Sequence, residues 1–178
     1  MRISLLLSTL LLLAGVAHAD LLAGTARASI TPLEEGIPPQ LGGYGERNGV
    51  PAIGVHDTIY AKVVVMQSGD TLAALVGLDI CTTPRSLVEE TIEKAAIPGL
   101  TYDNVIMSAS HDHAGLEGMS MDRRNIFGNP HIGLFSEEVT KFVSDRVAAA
   151  LKEAHGRMEP VTAGTGVVPL HGMNRNRR

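Results

Sequence analysis

The residues best equipped to do chemistry are His111 and His113, set two positions apart in Ser108-Ala109-Ser110-His111-Asp112-His113-Ala114-Gly115. On an extended backbone, side chains at i and i+2 project to the same face. The spacing therefore predicts two imidazoles converging on one point, as ligands of a single divalent cation such as zinc. The plain alternative is a pair of hydrogen-bonded loop histidines. With 7 histidines in 178 residues, a chance HxH triplet is expected roughly 0.3 times per chain of this composition. The surroundings must therefore decide between the two.

Those surroundings read as an α/β unit with a mixed sheet and packed helices. Residues 21–30 form a first strand, stopped by Thr31-Pro32. Residues 33–53 are rich in glycine and proline and read as a long loop, functional or floppy. Residues 58–66 and 72–78 are apolar strands joined by a Ser68-Gly69-Asp70 turn, an antiparallel hairpin. Asp79, at the end of the second, either caps the chain or orients a metal-ligating histidine. Thr83 as cap and Pro84 in the first turn open a helix over 84–97, ended by Pro98-Gly99. The run 104–107 is then a buried strand, parallel to 72–78 through a right-handed crossover. The histidines follow its carboxyl end, where α/β sheets tend to hold their sites.

Beyond them, residues 116–134 read as a broken loop, a rim or lid, in which His131 is a weak candidate ligand. Ser136 caps a helix over 136–155, whose buried face is Val139, Phe142, Val143, Val147, Ala150 and Leu151. His155 there suits the negative end of the helix dipole. A last strand spans 161–168. After it comes Met173-Asn174-Arg175-Asn176-Arg177-Arg178, either a solvated tail or a binder of anionic or polar substrate groups.

Composition narrows the function. Residues 1–19 read as an export signal: Arg2, an apolar centre over 5–16, and Ala17-His18-Ala19 before Asp20. That centre is shorter than the ~20 residues needed to span a bilayer; an uncleaved anchor is the alternative. Residues 20–178 suffice for one core, and the expected location is secreted or periplasmic. The net charge of −4 and the lack of a basic patch before the terminus argue against nucleic-acid binding. The single cysteine, Cys81, cannot form an internal disulfide and reads as a small apolar packer beside Ile80. Ser108 and Ser110 lie in no GxSxG elbow, which disfavours serine-hydrolase chemistry.

Several segments, in order, resemble the N-terminal part of the neutral/alkaline (non-lysosomal) ceramidases. They are Thr25-Ala26-Arg27-Ala28-Ser29-Ile30-Thr31-Pro32, Gly43-Tyr44-Gly45, Gly54-Val55-His56-Asp57 with Tyr60-Ala61, and Leu78-Asp79-Ile80. Residues 108–118 resemble that family's SGTHTHSGPGG signature, and Met173-Asn174-Arg175-Asn176 its INRS segment. The resemblance implies zinc at His111. It also implies that His113 lies beside the metal, facing substrate or oxyanion, and that Arg175 lines the site. It further implies a lipid amide substrate and peripheral membrane contact, and no protein partner. The remaining zinc ligands of the family, a histidine, a glutamate and a tyrosine, come later in a longer chain. The expectation is thus an N-terminal segment of a larger catalytic domain, inactive by itself. Leu116-Glu117 replaces the signature's proline and glycine, putting a negative charge beside the cleft and ceramide itself in question. A zinc esterase or peptidase on the same scaffold, or an exported non-catalytic binding domain, are the alternatives.

Overall fold

Alternation of buried and more exposed side chains along its two central apolar segments builds the sheet. In a computed structural model describing residues 21–124 and 128–173, β1 (Leu21–Ser29), β2 (Tyr60–Ser68) and β3 (Thr71–Leu78) pair antiparallel in sequence order. β4 (Val105–Ala109) adds to β3 in parallel, and β5 (Glu159–Val161) adds antiparallel to β1. The order is β4-β3-β2-β1-β5, a mixed sheet. The expected hairpin and parallel pair are both present.

One face of this sheet is the core. Ala61, Val63 and Val65 of β2 lie in register with Leu78, Val76 and Ala74 of β3, and all six are buried. Helix α2 (Glu137–Gly156) lies across β1 and β2 on this face, and α1 (Arg85–Ala95) packs beside α2. The approach is close enough that a Cβ on Gly24 of β1 would fall 2.0 Å from the Ala154 carbonyl oxygen. The opposite face carries a cross-strand row of Ile106, Leu75, Val64 and Thr25. There Ile106 is 64% and Leu75 41% exposed.

Both helices form where the apolar stripes predict, with different ends. Ser136 Oγ accepts the Val139 N–H at 3.3 Å, the expected cap. For α1 the expectation fails: Pro84 occupies the cap position without a side-chain bond, and Thr83 Oγ1 is buried with no partner among the described residues. The helix also stops before Pro98-Gly99, at Ala96, which turns left-handed (φ 47°). That turn delivers Ile97 and Leu100 to the core.

The last strand is shorter than expected. It covers Glu159–Val161, not 161–168, and residues 162–173 are exposed without regular structure. Antiparallel pairing sets Val161 opposite Leu21, the first residue of β1.

Candidate active site

The histidines meet, though not by the route their spacing predicts. β4 ends at Ala109, and Ser110 N–H and Asp112 N–H bond the carbonyls of Leu78 and Ile80. Between them His111 adopts a left-handed backbone (φ 63°), a conformation that costs an L-residue about 1–2 kcal/mol. The pair is thus assembled on a kink, not on extended chain. Strain of this kind, held in place by its surroundings, is a common property of functional sites.

The kink aims the rings at one another. His111 Nδ1 lies 2.8 Å from the Cys81 carbonyl oxygen. A carbonyl can only accept, so Nδ1 carries the proton and Nε2 keeps its lone pair. That Nε2 stands 3.2 Å from His113 Nε2, with ring centroids 4.8 Å apart at 68°. Two nitrogens bound tetrahedrally to one zinc would lie about 3.3–3.4 Å apart, so the donor set fits that ion. The same separation also suits a direct N–H···N hydrogen bond when His113 Nε2 is protonated.

Residues 40–52 close over this pair. They contain a 3-10 turn, Gly45–Arg47, and pair through Leu41 with Leu116. Gly42 N–H bonds the Gly115 carbonyl at 3.0 Å. Tyr44 meets the His113 ring edge-on, centroids 4.9 Å apart at 87°. The Gln40 side chain reaches across to the His131 carbonyl and the Gly133 N–H, at 3.3 and 3.2 Å. The loop frames a cavity of about 280 Å³ lined by Tyr44, Arg47, Cys81, His111, His113 and Glu117.

Other expected participants are placed elsewhere. The Asp79 carboxylate accepts from Tyr60 N–H and Lys62 Nζ, at 3.1 and 3.2 Å, so it caps and pairs locally. The group that orients His111 is the main-chain carbonyl of Cys81, and backbone acceptors leave no mark in a sequence. His131 contributes its carbonyl to Gln40 and is not in the histidine cluster. The first half of the presumed lid is packed interior: Leu116, Glu117, Ser120, Met121 and Asp122 are all buried. Arg175 and residues 1–19, read above as an export signal, lie outside the described residues.

Cys81 and Glu117 are nearer the chemistry than their sequence context suggests. One donor atom each from Cys81, His111 and His113 lie within 4.8 Å of one another. The Cys81 thiol is pushed up from its ordinary pKa by burial, then by the carboxylates of Glu117 and Asp112. Glu117 borders the cleft as expected, with its side chain buried. Its Oε2 accepts the Ser120 N–H at 3.2 Å, yet burial outweighs such bonds and raises its pKa.

The fold and its sequence have known counterparts. A family model described as "Neutral/alkaline non-lysosomal ceramidase, N-terminal" matches residues 22–178. Among solved structures, the neutral ceramidase from Pseudomonas aeruginosa is similar with a TM-score of 0.63 and 21% identity, over 80% of this chain and 22% of that one. A "Ceramidase complexed with C2" is similar at a TM-score of 0.60 and 22% identity, again over 80% and 22%. At such identities the likeness is one of fold. The chain spans about a fifth of the length of these solved relatives. A search of curated proteins returns no match. Matched along nearly all of its described residues, the chain belongs to the neutral/alkaline non-lysosomal ceramidase family, whose N-terminal region it represents.

Proposed function

We propose that this chain is the first part of an exported zinc amidohydrolase that cleaves the N-acyl bond of ceramide or a related lipid amide. One observation carries the reading: the Cys81 carbonyl fixes the His111 proton on Nδ1, leaving Nε2 as a free donor 3.2 Å from His113 Nε2 inside a cleft. Family membership and the solved ceramidase described as complexed with C2 support the substrate class.

When bound, zinc supplies a water whose pKa is lowered to about 7 and a Lewis acid for the amide carbonyl. The residues of this chain do the rest of what the cleft offers. His111 Nε2 would hold the ion, with the Cys81 carbonyl fixing its tautomer and ring orientation, as partners of metal-bound histidines do. His113 Nε2 faces the same point: unprotonated it would be a second ligand, and protonated, with the ion on His111 alone, it would donate to a developing oxyanion. Arg175 is assigned to the cleft rim as a further cation, on the family resemblance. The cleft, lined by the exposed Tyr44 and by Ile132, suits a substrate approached from a membrane surface.

One imidazole pair falls short of the three protein ligands usual for catalytic zinc. We therefore assign the remaining ligands to a continuation of the chain and expect this segment alone to lack turnover. Elemental analysis of the purified chain tests the reading. Zinc is expected in the wild type and lost in His111→Ala, with an unchanged circular dichroism spectrum. Full amidase turnover by the isolated chain would defeat the division of ligands. Mass spectrometry of exported protein should show cleavage after Ala19.

A further inference from the structure

We infer that Arg47 is the positioning residue for His113, and that residues 42–47 act as a clamp on the second imidazole. The clamp grips His113 twice. At the main chain, Arg47 Nη1 donates to the His113 carbonyl at 2.6 Å and to the Gly42 carbonyl at 2.8 Å, joining segments 66 residues apart. At the ring, Tyr44 stands edge-on at 4.9 Å, and Gly43 presses so closely that a Cβ there would lie 2.0 Å from His113 Cγ.

Arg47 links the two grips. Its guanidinium carbon sits 5.0 Å over the Tyr44 ring centroid, so one group both fixes the His113 backbone and holds the aromatic against its ring. A planar guanidinium is suited to that double task, donating in its plane and stacking on its face. The sequence gives no sign of it: Gly45-Glu46-Arg47-Asn48 reads as solvated loop.

The arrangement matters because His113 follows the left-handed His111 and has no strand to hold it. Without the clamp, rotation about its χ angles would separate the two Nε2 atoms. Arg47 forms no ion pair among the described residues and lines the cleft with both histidines. Its Nη1 is therefore engaged by carbonyls and its charge stays at the site.

The experiment uses the chain with Arg47→Met, which keeps length and packing but removes every donor, and Arg47→Lys, which restores donors. The first arm needs no metal: a nuclear Overhauser contact between the Tyr44 and His113 rings is expected in the wild type. It should be lost in Arg47→Met and recovered at least in part in Arg47→Lys. The contact persisting in Arg47→Met would overturn the inference. The second arm rests on the metal reading above and titrates Co²⁺. Affinity is expected to fall about 10–100-fold in Arg47→Met, as for loss of an outer-shell partner, with Tm unchanged. A fall in Tm with undiminished affinity would make Arg47 a structural residue and overturn the inference. Wild-type protein that takes up no Co²⁺ would instead overturn the metal reading, leaving the ring contact to decide the role of Arg47.

Discussion

At the scale of single residues, close contact and burial set what the site tolerates. Gly43 combines positive φ (84°) with the His113 ring in the space a Cβ would fill. Gly43→Ala is therefore expected to displace His113 and to destabilise by at least the about 1–2 kcal/mol of a left-handed L-residue. Thermal melts and cobalt titration of the same variant check both effects. Glu117 gives a pH signature in metal-free protein. Its pKa in the fold is raised above the ordinary 4.5, so the group favours folding below that value and loses the benefit as pH rises through the raised one. Glu117→Gln should therefore match the wild type near pH 4 and melt higher at about pH 7. Equal melting temperatures at both would show the carboxylate to be well solvated. Part of this site was legible from residue types, since the spacing of His111 and His113 put the two forward as candidates and the surrounding elements and the family resemblance favoured them. What escaped was the means of bringing them together. A left-handed kink at a histidine, a carbonyl acceptor and an arginine in a glycine-rich loop carry no pattern, because each depends on where distant backbone arrives.

At the scale of elements, periodic segments were legible and their ends were not. The stripe of α2 and its Ser136 cap follow from local sequence, and Ser136→Ala is expected to cost about 0.5–2 kcal/mol. The end of α1 obeys the core instead: Ile97 and Leu100 are buried, which forces the chain out of the helix at Ala96. Since Ala96 sits at φ 47°, Ala96→Gly should stabilise by about 0.5–1 kcal/mol, the relief of left-handed strain less the extra backbone entropy of glycine. Urea denaturation read from the midpoint shift checks both variants. A loss of stability in Ala96→Gly would mean that this backbone position is not strained.

At the scale of the whole molecule, the sheet has one face covered and one bare among the described residues. Val76, 2% exposed, points into the helical layer, whereas Ile106, 64% exposed, belongs to the opposite row. Val76→Thr is expected to cost about 1–3 kcal/mol through an unsatisfied buried hydroxyl, and Ile106→Thr less than about 0.5 kcal/mol. Chemical denaturation of the two reads the sidedness directly. The bare row also makes Ile106→Thr the change most expected to reduce adhesion to apolar dyes. The Gln40 amide, which ties its own loop to residues 91 and 93 positions away, has a kinetic corollary. Ordering so long a span yields few contacts until strands and helices already hold its ends near each other. Refolding should therefore complete the hairpin and α2 first and stitch the cleft shut as its final event, so that competence to capture an ion lags behind the recovery of secondary structure.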